Sequence, residues 1–333
     1  MLEPRISVII PTYNRGDTLV AAVQSVLAQT YRKFELIIVD DCSANPAAQT
    51  LVEAGIVDKN LKIEHHQTVD VITDGDVANP MLRIVRHHKN QKQAAARNTG
   101  AAMARGKWLA FLDDDDLFLP KKLSRQLAYM RKHKLRVSTT DFMLPDDRHR
   151  YVIRNSMLDP SWMAQTGRFL ALPSTMMIEK TLYDEMGGFD PSPDMYRTED
   201  TEFVYRLYLK GIITKVFKVF GEALSVYSGL HAAATEVEIK AIEALEKKHG
   251  QAFSQGDRAS PSFKPAIEWK KTNVELLTHK PLMTRVKKFA SLALRYPVSF
   301  ASLALSVLCW APPWARPKNS THTGGRLRLY MPY

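Results

Sequence analysis

The sequence predicts an α/β fold: a Rossmann-like, mixed but mostly parallel sheet flanked by helices, followed by a C-terminal helical tail. Two observations carry this expectation. Apolar runs of strand length ("ISVII", "FELIIV", "LRIV", "WLAFL") alternate with stretches of helical period. Polar residues gather where those runs end, at Pro11–Asn14, Asp40–Asp41 and Asp113–Asp116. In open α/β sheets ligands bind at that carboxyl edge.

The elements follow in order. "ISVIIPTYN" reads as a buried strand ending in a Pro-containing loop, and "DTLVAAVQSVLAQT" as a helix with Asp17 placed as its N-cap. "FELIIVDD" is a second buried strand, followed by the loop "CSANP" and the short helix "AAQTLVEAG". Residues 57–82 are less regular and read as an inserted loop or a small hairpin. "LRIVRHH" is a third strand, "KQAAARNTGAAMARG" a helix closed by Gly106, and "KWLAFLD" a fourth strand. The strand–helix alternation implies parallel pairing through right-handed crossovers.

Beyond the acids, a helix begins at Pro120 and a strand occupies "RVSTTDFML". Residues 145–168 carry no assignable period. "STMMIEKTLYDEMGGFD" contains a strand, a helix and a Gly-Gly turn. "TEDTEFVYRLYLKG" is an amphipathic helix with Phe203, Leu207 and Tyr208 as core positions. "KVFKVFGEALSVY" is strand-like, and "ATEVEIKAIEALEKKHG" is a helix closed by Gly250.

The formal net charge of the 333-residue chain is +11. From Arg258 onward there are 13 Lys/Arg but two acids, Glu268 and Glu275, so the body is neutral and the surplus sits in the tail. Such a tail attracts polyanions. Leu282, Val286, Phe289, Ala290 and Ala293 share one helix face, with Lys288 and Arg295 opposite. Val298–Ala311 is uncharged over 14 residues, short of the roughly 20 that a spanning helix needs. With Trp310 and Trp314 beside it, residues 283–333 read as a peripheral membrane contact; a core helix packed on the body is the plainer alternative. The two cysteines, Cys42 and Cys309, form no disulfide framework, and the N-terminus has no secretory pattern. The expected location is the cytoplasm, at the inner face of the cell membrane.

Four adjacent carboxylates, Asp113 to Asp116, repel one another and need a cation or protons to be tolerable. Mg²⁺ or Mn²⁺ takes oxygen ligands and is often held by one or two carboxylates, with phosphate oxygens completing the shell. A solvated acidic turn is the bland alternative. At the neighbouring strand ends a carboxylate can accept the N–H of a base, Tyr13 can offer an aromatic face, and Arg97 can reach a phosphate. Turn-forming acids and a surface arginine are the corresponding structural readings. Glu199–Asp200 opens a helix, where the macrodipole favours acids. His65–His66 and His87–His88 read as surface or strand-end histidines, and Arg206 as a salt-bridge partner.

"SVIIPTYNRGDTLVAAVQSVLAQTYRKFELIIVDD", "NQKQAAARNTGAAMARGKWLAFLDDDD", "GGFD" and "TED" together resemble a family 2 glycosyltransferase with the GT-A fold, densely over residues 6–120 and more thinly to about residue 210. The resemblance implies an inverting, metal-dependent, nonprocessive transfer from a nucleotide-sugar donor. A UDP-sugar is the expected donor, and a saccharide or lipid-linked hydroxyl the expected acceptor. It places Pro11, Thr12, Tyr13 and Asp41 in the base-binding segment, with Asp40 as the carboxylate for the base. It places Arg97 and Asn98 on the donor. Asp113-x-Asp115 matches the metal and diphosphate motif, with Asp115 touching Mn²⁺ or Mg²⁺ and Asp114 near the ribose. Asp200 matches the general base, with Glu199 beside it.

The chain departs from the family pattern at Lys92, where glycine is usual, and at Cys42, where serine is usual; no Q-x-x-R-W signature of processive synthases occurs. The implied organisation is a nucleotide-sugar-binding half (1–120), an acceptor and catalytic-base half (121–228), a helical extension (229–282) and the membrane-surface tail (283–333). A sugar nucleotidyltransferase would need a Gly-rich basic loop after the first strand, and "PTYNRGDT" holds one glycine. A nucleic-acid-binding role for the tail is opposed by its apolar segments and tryptophans, so no nucleic-acid partner is expected.

Overall fold

The computed structural model describes residues 5–74, 82–144, 151–153, 172–212, 220–226 and 236–249. The tail 283–333, Gly250 and most of residues 145–168 lie outside the described residues. The chain divides into two compact units: Met1–Ser156 with Ala171–Pro191 and Phe217–Leu230, and Met157–Leu170 with Ser192–Val216 and His231–Tyr333.

The first unit is built on β1 (Ile6–Thr12), β2 (Phe34–Asp40), β5 (Leu82–His87) and β6 (Trp108–Phe111). These pair in parallel in the order β5-β2-β1-β6. Every residue of β1 and β2 is buried. Both faces are covered, which is why their sequences run apolar without alternation. Three helices connect the four strands: α1 (Asp17–Leu27), α2 (Ala47–Glu53) and α3 (Lys92–Met103). α3 lies close on β1 because of Gly100, where a Cβ would come 2.5 Å from Ile9 Cγ2.

Antiparallel strands extend both sides of this parallel centre. The irregular stretch 57–82 contains a hairpin, β3 (Leu61–His65) and β4 (Val69–Asp74), with β4 antiparallel to β5. Its apolar residues are too few and too exposed for a clear strand signature; Ile63 is 50% exposed. On the other side β11 (Met177–Glu179) pairs antiparallel with β6 and with β8 (Val137–Ser138), which completes an eight-stranded sheet. A second sheet takes β7 (Leu117–Phe118), β9 (Thr140–Leu144), β10 (Tyr151–Ile153) and β12 (Phe220–Val226), in the order β10-β9-β12-β7.

Three expectations change at this level. The single strand expected over 136–144 is two strands in two sheets, with buried Thr139 between them. Asp17 is the first helical residue rather than the cap; Gly16 holds that position, and the Asp17 carboxylate faces the positive end of α1. Gly106 does not close α3, which ends at Met103. A Cβ on Gly106 would lie 2.7 Å from the Ser7 backbone nitrogen, so this glycine serves a close approach to β1. The helix expected from Pro120 is α4 (Lys122–Lys132). The helix after β11 is α5 (Lys180–Glu185), ending at Gly187 and Gly188 with φ of 76° and 70°.

The second unit holds α6 (Glu199–Leu209) and α7 (Glu236–His249). Met195, Tyr205, Ile242 and Leu245 form its apolar cluster, with Tyr208 partly buried against it. Glu202 is fully buried and accepts from Arg206 Nε at 2.9 Å, Lys248 Nζ at 2.8 Å and His249 Nε2 at 3.0 Å. Burial alone would raise its pKa, but His249, Lys248 and Arg206 outweigh that and hold the carboxyl below its ordinary value.

Candidate active site

The strand order brings the ends of β2, β1 and β6 side by side. Thr12 stands opposite Asp40, and the Asp41 N–H donates to the Thr12 carbonyl at 2.9 Å. Two cations from distant sequence meet the acid run. Arg15 lies with Nε 3.4 Å from Asp114 Oδ1 and Nη2 3.4 Å from Asp115 Oδ2. Arg97, with 2% of its side chain exposed, donates from Nη2 to Asp113 Oδ1 at 2.6 Å. Its guanidinium carbon sits 5.5 Å from the Phe189 ring centroid.

The four acids divide by environment. The side chains of Asp113 and Asp115 are 23% and 27% exposed. Asp114 is buried, and its pKa is pushed up to about 6. Burial is the main cause, Asp113 and Asp115 add to it, and the Thr12 hydroxyl and Arg15 oppose it. Asp116 is fully buried and accepts from the Ser174 hydroxyl at 2.5 Å. Asp116 shares the acid run with the other three, but its side chain is taken up internally and does not join them as an oxygen ligand.

The remaining donor set fits a divalent cation. Two half-exposed carboxylates, Asp113 and Asp115, are hard oxygen ligands. Among the described residues no three His, Cys, Asp or Glu side chains form a ready-made cage. An ion here would complete its shell with phosphate oxygens and water, as Mg²⁺ and Mn²⁺ sites commonly do.

Asp40 and Asp41 are 1% and 3% exposed and hold loops. Asp40 accepts from Ser43 N at 2.8 Å, from Ala47 N at 3.0 Å and from Arg86 Nη1 at 2.5 Å. The N-cap of α2 is Pro46, which has no side-chain acceptor, so Asp40 caps that helix from β2. Asp41 accepts from Gln91 N at 2.8 Å and Lys92 N at 2.7 Å, and shares a 2.7 Å contact with His87 Nδ1. The carboxylate assigned to the base on sequence grounds thus has both oxygens engaged within the fold. Tyr13 is 48% exposed. Pro11 is buried within β1.

Lys92 and Cys42, the two departures from the family pattern, share a backbone feature. Their φ values are 71° and 69°, in the left-handed region that favours glycine. At Lys92 this conformation aims the N–H at Asp41. Asn98 takes its place through the Gly-Gly turn: Oδ1 accepts from Tyr183 Oη at 2.6 Å and Phe189 N at 2.9 Å.

Asp200 and Glu199 lie in the second unit, in the first turn of α6. Glu199 is buried, and Asp200 is half-buried with Oδ1 accepting from Thr201 N at 2.6 Å. Arg15 directly follows "PTYN" without belonging to a motif of its own, and no motif marks Ser174.

A parallel centre with antiparallel flanks, and acids and arginines on its carboxyl edge, is the arrangement of the GT-A fold. A crystal structure of Staphylococcus aureus TarS (residues 1–349) with UDP-GlcNAc superposes with a TM-score of 0.56 at 16% identity, covering 91% of this chain and 85% of that one. The chain belongs to the family described as Glycosyl transferase family 2, whose model matches residues 7–199. An uncharacterized glycosyltransferase of Rickettsia felis is 33% identical over 150 residues, 45% of this chain and 21% of that protein. The Escherichia coli UDP-Glc:α-D-GlcNAc-diphosphoundecaprenol β-1,3-glucosyltransferase WfaP is 30% identical over 142 residues, 43% of this chain and 47% of that protein. The matched region thus spans less than half the length of either relative.

Proposed function

We propose that this chain is an inverting, metal-dependent glycosyltransferase. It would move a sugar from a nucleoside diphosphate donor to a hydroxyl of a saccharide or lipid-linked acceptor, in the building of a cell-surface polysaccharide. The observation that carries this reading is the pairing of Asp113 and Asp115 with Arg97 and Arg15 at the ends of adjacent strands. Family membership supports the reaction class, and the undecaprenol-linked acceptor in the name of WfaP supports the acceptor class.

In this mechanism Tyr13 stacks on the base, and Thr12 lines its pocket within the loop that Asp40 and Asp41 hold in shape. Asp113 and Asp115 hold Mn²⁺ or Mg²⁺, which when bound supplies positive charge to the leaving diphosphate. Arg97 and Asn98 fix the donor side of the pocket, and Asp114 lies at the ribose. Asp200 accepts the proton of the acceptor hydroxyl as its oxygen attacks the anomeric carbon from the face opposite the diphosphate. Residues 1–120 then serve the donor and 121–228 the acceptor. The tail 283–333 would bring the enzyme to an anionic membrane surface.

The test is a thermal-shift and turnover series with nucleotide-sugars, with and without Mn²⁺. One UDP-sugar should stabilise the protein only with the metal. Asp200→Asn should lower turnover by about 10²–10⁴-fold. Stabilisation by no nucleotide-sugar refutes the donor reading, and near-normal turnover in Asp200→Asn refutes the base. Deleting residues 283–333 should abolish flotation with anionic liposomes while sparing donor hydrolysis.

A further inference from the structure

We infer that Ser174 is a positioning residue for the acid loop, fixing Asp113 and Asp115 for the diphosphate-bound cation; the inference rests on the donor reading above. β11 runs antiparallel to β6, with Met177 opposite Ala110. Carrying that register onward puts Ser174 opposite Asp113. There the chain has already turned into the one-turn 3-10 helix Pro173–Thr175, so the backbone ladder cannot continue.

The Ser174 side chain takes the ladder's place. Its hydroxyl accepts from the Asp113 N–H at 3.1 Å and donates to Asp116 Oδ2 at 2.5 Å. The Asp116 N–H in turn donates to the Asp113 carbonyl at 3.0 Å. One hydroxyl therefore ties the first acid of the loop to the last. Ser174 and Asp116 are 1% and 0% exposed, so bulk water does not compete for these bonds. Asp116 acts as an internal anchor, and Asp113 and Asp115 are left half-exposed.

The turn that carries Ser174 is held from behind by a buried lysine. Lys122 Nζ donates to the Thr175 carbonyl at 3.2 Å and to Gln126 Oε1. Gln126 Nε2 reaches the same carbonyl at 3.1 Å and the Ser138 carbonyl at 3.1 Å. Lys122, Gln126 and Thr175 are all fully buried. Four neighbouring carboxylates repel, and gathering two of them around an ion costs less when the loop is already fixed.

The experiment is calorimetric titration of the full chain with UDP, with and without Mn²⁺, for wild type, Ser174→Ala, Ser174→Thr and Asp116→Asn. Ser174→Ala should weaken Mn²⁺-dependent UDP binding by about 10–100-fold, the usual effect of removing an outer partner of a metal ligand. UDP binding without metal should change far less. Ser174→Thr keeps the hydroxyl and should recover most of the loss, and Asp116→Asn should weaken binding in the same metal-dependent way. Wild-type Mn²⁺-dependent affinity in a folded Ser174→Ala protein overturns the inference. So does equal weakness in the Thr variant, or, where Ser174→Ala does not fold, unchanged binding in Asp116→Asn. Wild-type protein that binds no UDP with Mn²⁺ overturns the donor reading and this inference together, a result distinct from the others.

Discussion

The side-chain amide of Asn98 pairs with the backbone of Phe189 as a neighbouring strand would: Oδ1 accepts from Phe189 N at 2.9 Å and Nδ2 donates to Phe189 O at 2.8 Å. Asn98 thus joins α3 to the segment after the Gly-Gly turn, and Phe189 in turn lies against Arg97. Asn98→Asp preserves shape but sets a carboxylate oxygen against a carbonyl. It should cost about 1–3 kcal/mol. A melting series that shows stability and UDP affinity falling together assigns Asn98 to holding the pocket; lost affinity at unchanged stability assigns it to the donor directly.

Asp113 and Asp115 should separate from Asp116 in their effects. Asp115→Asn changes a partly exposed group and should leave the melting temperature within a few degrees, whereas Asp113→Asn also takes charge from the partner of buried Arg97 and should lower it further. Transfer should fall by about 10²-fold or more, the scale found when a group that stabilises transition-state charge is removed. Transfer assays beside calorimetric melts check both. Asp115→Asn with normal Mn²⁺-dependent turnover would remove Asp115 from the ion's shell.

Lys92 holds a φ of 71°, a conformation that costs a side-chain-bearing residue about 1–2 kcal/mol. Lys92→Gly should therefore raise stability by about 1 kcal/mol, after the extra chain entropy of glycine is counted. Denaturant unfolding of the two proteins checks it, and a midpoint lower in the glycine variant would contradict it.

Lys122 should make stability depend on alkaline pH. Burial lowers its pKa from 10.5 to about 7. Between those values the unfolded chain binds a proton that the folded chain does not, so stability rises with pH across that window. Below about pH 7 both states carry the proton, and the burial penalty is at its largest. Lys122→Met should flatten the rise between pH 7 and 10. Parallel slopes for the two proteins would show that Lys122 stays charged in its bonds to Gln126 and Thr175.

The parallel centre was legible because strands covered on both faces write themselves as nearly continuous apolar runs, as Val8–Ile10 and Leu36–Val39 do. The hairpin Leu61–Asp74 was legible only as one of two readings, a loop or a small hairpin, because β3 at the sheet edge is largely exposed and keeps little hydrophobic pattern. Carboxylates at the strand ends could be located but not sorted. Whether an aspartate faces a ligand or a backbone N–H depends on partners such as Ala47, Gln91 and Ser174, which are set by register and turn geometry rather than by neighbouring letters. Arg15 shows the same limit: its partner acids are about 100 residues away, and only the β1–β6 pairing makes them neighbours.

Thr139 alone separates β8 from β9, so the chain leaves one sheet and enters the other without slack. Lengthening this junction by a single residue would slip β9 against β10 and β12 and turn its inward side chains outward. Affinity tags, fluorescent insertions and circular permutation points therefore belong elsewhere, and the His66–Thr68 turn of the exposed hairpin is the natural place for them.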